Sequence, residues 1–236
     1  MRLLLPVLLL PLACGGDGDV PGSPAASGST DGAEAGPKGP GTRALELCAR
    51  LDPALDLAAQ ESELDRLAEG VRSRLGGQAS AEDAVRALIT TLGLDGTSSR
   101  AFTYEDSQPR LDLLLRDGRG NCVALSTLYL AVGQRAGLDV ATLVTPGHQY
   151  VRLRLGDEAF DVETTEHAGL LAGELAGRQF FFDEAQKERC SEPLAGTQWV
   201  SFYLSELTHG MASGPALGFL DESLEMWPEN RWALAS

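Results

Sequence analysis

Three residues in the middle of the chain have the types and the order that thiol chemistry needs. They are Cys122, then His148 26 residues later, then Glu163 15 residues after that. Cys122 follows a Gly-Asn turn and opens an apolar, helix-forming run, which places its sulfur at a helix N-terminus. Backbone N–H groups and the helix dipole favour an anion there, and the thiolate is the nucleophilic form of cysteine. A histidine on a neighbouring strand can take the thiol proton and later protonate a leaving group. An acid on the next strand can fix the imidazole tautomer and stabilise its charged form. Each residue also has a plainer reading. Cys122 can be a small buried residue and His148 a surface strand histidine, while His167 and His209 stand in less patterned surroundings and read as structural or exposed. A metal site is disfavoured, because no close ligand pair or Cys-x-x-Cys spacing is present. No cofactor motif is found.

The elements that must position these residues are readable from periodicity. Arg43 to Gln60 has helical spacing broken at Asp52-Pro53, where a new N-cap is expected. Leu64, Leu67, Val71 and Leu75 form one apolar stripe, closed by Gly76-Gly77. Ser80 and Asp83 look like a capping pair before a face made by Ala84, Val85, Leu88, Ile89 and Leu92, ended by Gly93. Gly93 to Pro109 is irregular, with Phe102 and Tyr104 expected to anchor it onto the core. Leu111 to Leu115 is a helical turn. Cys122 to Ala136 is the most apolar helix and has the character of a central buried one. The period then changes. Val140 to Thr145 reads as a strand. His148 to Leu155 alternates, with His148, Tyr150 and Arg152 on one side and Val151, Leu153 and Leu155 on the other. Gly156-Asp157 is a hairpin turn, and Ala159 to Glu163 is the return strand. A helix followed by an antiparallel meander predicts an α+β fold. Further on, Gln198 to His209 and Leu217 to Trp227 read as helices, the second stopped by Pro228.

Composition bounds the rest. The chain has 236 residues and a formal net charge of −15. That charge argues against nucleic acid as a partner, since phosphate binding needs a basic surface. Residues 1–14 read as an export signal: Arg2, an apolar run from Leu3 to Leu12, then Ala13-Cys14. The run is too short to span a membrane and contains Pro6 and Pro11. It resembles a bacterial lipoprotein signal in which Cys14 receives the lipid. Pro11 stands where an aliphatic residue is usual, and the plainer reading is a cleaved signal with an incidental cysteine. Residues 15–42 are rich in Gly, Pro, Ser, Ala and Asp, the composition of a disordered tether. Residues 43–190 would then be the folded domain and 191–236 a helical extension. The expected location is the bacterial cell envelope, at the outer membrane or periplasmic face, with the membrane met only through the lipid. Of the four cysteines, Cys14 is set aside by lipidation. Cys48 and Cys190 can pair and leave Cys122 as the unbridged thiol, or all three can be buried thiols.

The central segments resemble the transglutaminase-like superfamily of papain-like cysteine hydrolases. Gly120-Asn121-Cys122-Val-Ala-Leu-Ser126 through Leu128-Tyr-Leu to Gly137-Leu is similar to its cysteine helix. Pro146-Gly-His148-Gln-Tyr-Val-Arg152 is similar to its histidine strand, and Phe160-Asp-Val-Glu163-Thr-Thr165 to its acidic strand. The resemblance implies a transglutaminase-like fold, with a helical N-terminal half, the nucleophile helix packed on an antiparallel meander, and a helical C-terminal tail. It implies Cys122 as nucleophile, His148 as base and Glu163 as the third member. The family more often has Asp at that third place, so Asp161, two residues earlier on the same strand face, is the reserve. With His148 facing the site, Gln149 points to the other strand face, and no oxyanion donor is identified beyond the Cys122 backbone N–H. Ala216, Leu220, Leu224 and Trp227-Pro-Glu-Asn230 resemble the second helix of a tetratricopeptide repeat, so the nearest subgroup is a bacterial one whose core is followed by such helices. A packing helix on the main domain is the simpler alternative, since one repeat cannot stack. Fold does not settle function. The chain reads as a monomeric, membrane-anchored thiol enzyme hydrolysing a peptide or amide bond of a peptide or protein substrate. The alternatives are an acyl transferase that forms crosslinks and a catalytically silent binding module of the envelope.

Overall fold

The computed structural model describes residues 39–76, 80–93, 102–145, 147–165, 170–171, 192–194 and 196–235. Three helices come first: α1 (Pro40–Leu51), α2 (Leu57–Arg72) and α3 (Ala81–Leu92). The break between α1 and α2 falls at Asp52-Pro53 as the sequence suggests, but the new cap lies further on. Asp52 is used up in the turn, where its Oδ1 accepts the Ala54 N–H at 3.1 Å. The cap of α2 is Asp56, whose Oδ1 accepts the Ala59 N–H at 3.0 Å. α3 opens with a reciprocal capping box between Ser80 and Asp83, which satisfies two of the backbone donors a helix start leaves over.

Next come β1 (Thr103–Tyr104), α4 (Leu111–Asp117) and β2 (Arg119–Gly120), with β1 and β2 paired in parallel as Thr103↔Arg119 and Tyr104↔Gly120. α5 (Cys122–Arg135) follows at once, and every residue from Val123 to Gly133 is buried. A helix that is apolar all round must be covered all round. α1, α2 and α4 cover it on one side, and the strands β3 (Asp139–Thr145) and β4 (His148–Leu155) on the other. Gly133 sits so close to β3 that an added Cβ would stand 2.5 Å from Val140 Cγ2.

β3, β4, β5 (Glu158–Val162) and β6 (Leu170–Leu171) form one antiparallel sheet in that order. The fold class is therefore α+β. Side chains alternate between the two faces of a sheet. Val140, Leu153 and Phe160 lie in register on the face that joins the main core, as do Val151 and Val162. The opposite face carries Leu143↔Tyr150 and Arg152↔Asp161. β5 ends one residue earlier than the alternation suggests, so Glu163 stands just past the strand.

Three C-terminal helices complete the chain: α6 (Gly196–Leu207), α7 (Ser213–Met226) and α8 (Arg231–Ala235). Trp199, Phe202, Tyr203, Leu204 and Leu207 of α6 belong to the same core as α1 to α5. Tyr203 Oη accepts the Leu111 N–H at 3.0 Å and lies 3.5 Å from Cys48 Sγ, tying α6 to α4 and α1. α6, α7 and the start of α8 are joined by a buried polar knot, in which Asn230 Nδ2 donates to Ser201 Oγ and Ser223 Oγ at 2.9 Å each. α7 starts four residues before the expected Leu217 and buries Phe219 and Ser223, leaving Leu217 exposed.

Candidate active site

The site is built where the start of α5 meets the end of the sheet. Gly120 must be a glycine here, because a Cβ would stand 2.7 Å from that of Ala124. The next residue, Asn121, is the N-cap of α5. Its Oδ1 accepts the Val123 N–H at 3.0 Å and the Ala124 N–H at 3.1 Å, and its carbonyl accepts the Leu125 N–H at 3.0 Å. Cys122 is the first residue of the helix proper, and its own N–H has no acceptor among the described residues. One turn further on, Ser126 Oγ donates to the Gln149 carbonyl at 3.1 Å and bonds Thr164 Oγ1 at 2.9 Å. That tie fixes the helix against β4 and the end of β5. It brings Cys122, a turn earlier, to the sheet end where His148 opens β4.

His148 sits between a thiol and a carboxylate. Its Nε2 donates to Glu163 Oε2 at 2.6 Å, and the Cys122 side chain is the second group that acts on the ring. Glu163 is in turn held by Thr165, whose N–H and Oγ1 donate to Oε1 at 2.8 Å and 2.6 Å. Burial alone would drive the imidazole towards its neutral form. The hydrogen bonds with Cys122 and Glu163, and their charges, outweigh it and push the His148 pKa up from 6.5 to about 9. Burial likewise raises the Glu163 pKa, but the hydrogen bond and charge of His148 and the two donors of Thr165 outweigh it and hold the carboxyl below its ordinary value. At neutral pH the pair is an imidazolium beside a carboxylate.

The structure brings together Cys122, His148 and Glu163 and leaves Asp161 aside. Asp161 does lie on the sheet face expected for it, but there it faces Arg152. Arg152 Nε donates to Oδ1 at 2.6 Å and Nη2 to Oδ2 at 2.9 Å, a bidentate pair further along β4 from the imidazole, past Tyr150 on the same face. Gln149 points into the core with its amide buried. His209 is exposed, with Nε2 3.8 Å from Glu206. Among the described residues no group of three or more His, Cys, Asp or Glu is placed to hold a metal. Cys48 is fully buried, and its thiol is pushed up to about 12 by burial and then by the Asp112 charge. Cys14, Cys190 and His167 lie outside the described residues.

Two features escape sequence reasoning. Tyr104, expected in the core beside Phe102, is 48% exposed, while Phe102 is buried. The short parallel ladder with Gly120 carries Tyr104 to the approach to Cys122. No periodicity signals a two-residue strand, so its orientation was out of reach. Thr165 was visible as part of the acidic-strand segment, but its two hydrogen bonds to Glu163 depend on how the chain turns after β5.

Comparison with known families agrees with this geometry. A family model described as the transglutaminase-like superfamily matches residues 58–187, more than half of the chain. The chain belongs to the transglutaminase-like superfamily. No curated protein matches it.

Proposed function

We propose that the protein is a thiol enzyme that hydrolyses a peptide or amide bond through a thioacyl intermediate. The observation that carries this reading is the buried His148–Glu163 pair, 2.6 Å apart, at the sheet end to which the start of α5 brings Cys122. The imidazolium holds the charge of the Cys122 thiolate, and Glu163 holds the imidazolium. The sulfur attacks the carbonyl carbon, and the oxygen takes up negative charge. The unpaired Cys122 N–H donates to that oxygen, where a donor is worth most. The C–N bond then breaks as His148 gives its proton to the leaving nitrogen. The neutral imidazole next removes a proton from water, which attacks the thioester. The C–S bond breaks, a carboxylic acid departs, and the imidazolium is restored. Water is the acceptor of choice for a site outside the cytoplasm, which leads to the second part of the proposal.

The enzyme is exported and anchored by lipid on Cys14, with the segment between Cys14 and the start of α1 at Pro40 as its tether, shorter than the expected 15–42 because residues 40–42 are already helical. The Arg2, Leu-rich, Ala13-Cys14 order supports this part. The C-terminal helices fit the bacterial subgroup with tetratricopeptide-like additions, in the sense that α6 and α7 pack as a helical hairpin on the core. The substrate is a peptide or protein, met by a monomer.

The test is labelling of Cys122 by iodoacetamide at neutral pH, located by peptide mapping. Cys122→Ala is expected to abolish the label at that peptide, and His148→Ala to slow it by about tenfold or more, because the thiolate loses its charged partner. A Cys122 that reacts like free cysteine, at a rate His148→Ala leaves unchanged, would overturn the enzyme reading in favour of a binding module. Incorporation of an amine in place of release of an acid would convert hydrolysis into acyl transfer. Mass spectrometry of protein purified from host membranes decides the anchor, since an unmodified Cys14 or a mature chain beginning elsewhere excludes it.

A further inference from the structure

Among the described residues Tyr104 is the exposed aromatic next to the nucleophile's segment, and nothing in the packing calls for it. Its backbone is fixed by the ladder to Gly120, and the Glu105 N–H donates to the Gly120 carbonyl at 2.8 Å, so the residue cannot drift from the approach to Cys122. Its hydroxyl donates to Asp106 Oδ1 at 2.8 Å. Gly120, its ladder partner, lies two residues before Cys122, which places Tyr104 at the approach to the site. Of the acids there, Glu163 is balanced by His148, and Glu105 lies 3.7 Å from Arg119. Asp106 has no cationic partner among the described residues. The mouth therefore presents an aromatic face beside one unbalanced carboxylate. A phenol that donates to a carboxylate has a more electron-rich ring, and such a face attracts cations.

We propose that Tyr104 and Asp106 form a seat for a cationic side chain of the substrate, next to the reacting carbonyl. The seat defines specificity for the activity proposed above and rests on that reading. The cation held there is a spectator. An ammonium against a carboxylate stays protonated and has no lone pair with which to attack a thioester. The expected substrate is thus a peptide or protein with a lysine or arginine beside the amide that is cleaved.

The full chain can be tested without knowing that substrate, using three small methanethiosulfonates that modify Cys122: an aminoethyl cation, a sulfonatoethyl anion and a neutral methyl reagent. The cation and anion rates at the Cys122 peptide are each divided by the neutral rate in the same variant. The cation-to-anion ratio should exceed that of free cysteine, and Asp106→Asn should lower it about tenfold at low salt, roughly threefold in each direction for one nearby charge. Tyr104→Ala should also lower it, with Tyr104→Phe in between, because the ring remains but Asp106 loses its donor. The net charge of −15 gives every surface thiol some preference for cations. The control is therefore Asp157→Asn, in the β4–β5 turn at the opposite end of the strands from His148. A ratio that Asp106→Asn and Tyr104→Ala leave unchanged, or that Asp157→Asn lowers as much as Asp106→Asn, overturns the seat. The enzyme reading is judged separately by the response of the neutral rate to His148→Ala, so the two can fail independently.

Discussion

His148 holds its proton because it is flanked on both sides, and each flank can be removed alone. By NMR titration the wild-type imidazole is expected to have a pKa of about 9. Cys122→Ala and Glu163→Gln should each lower it towards 6.5, the ordinary value. Asp161→Asn should leave it in place, since that carboxylate is spent on Arg152. A fall with Asp161→Asn and none with Glu163→Gln would reassign the acid. The same pair makes folding stability depend on pH. The folded His148 value lies above the unfolded one, so its contribution is complete below about pH 6.5 and vanishes as pH rises through about 9. Glu163 is held below its ordinary value of 4.5, so its contribution is present above that pH and is lost on acidification through the folded value. The gap in urea midpoint between wild type and His148→Gln should therefore be widest near pH 4.5 to 6.5 and close above about pH 9. A gap that stays constant with pH would mean that packing, not the ion pair, is the source.

At the scale of elements, the decisive piece is the start of α5. Asn121 satisfies two of its first amides, so Asn121→Ala should cost about 1 kcal/mol in chemical denaturation and slow Cys122 labelling along with it. Asn121→Asp should restore the stability, because an aspartate caps equally well and its charge suits a helix N-terminus. It should not restore the labelling, since the added anion opposes the thiolate next to it. Recovery of both together would mean that the cap acts only through folding. This helix was the most legible part of the sequence. Its apolar run, the Gly-Asn turn before it and the change to period 2 after Gly137 are all strictly local signals. The capping box of Ser80 and Asp83 was legible for the same reason. Asp56 was overlooked as a cap because Asp52-Pro53 offers the same chemistry four residues earlier, and only the length of the turn separates them. The choice between Glu163 and Asp161 was not legible either. Both share a sheet face, and it is the pairing of Arg152 with Asp161, a cross-strand register, that divides them.

On the scale of the whole molecule, the C-terminal helices do not stand apart from the site. Tyr203 enters the core between α1 and α4, and α4 leads through Gly118 and β2 straight to Cys122. Tyr203→Phe leaves the Leu111 N–H without its acceptor in a buried place, which should cost about 1–3 kcal/mol as read from the urea midpoint. Removing the chain from residue 196 onward should expose the α1–α4 surface and abolish the cooperative thermal transition seen by circular dichroism. A truncated chain that melts as sharply as the whole one would show that α6 to α8 are an independent appendage.

The bidentate pair of Arg152 and Asp161 has a consequence for how such sequences can change. A slip of β5 along β4 by one residue would turn its apolar side chains to the wrong face, and burial forbids it. A slip by two keeps every face correct, so burial barely resists it, yet it would carry Glu163 away from His148. The Arg152–Asp161 pair opposes that slip because it is matched in only one register. Among relatives of this chain the two positions are expected to vary as a unit, with loss or reversal of one charge accompanied by a change in the other, whatever residue stands at the place of Glu163.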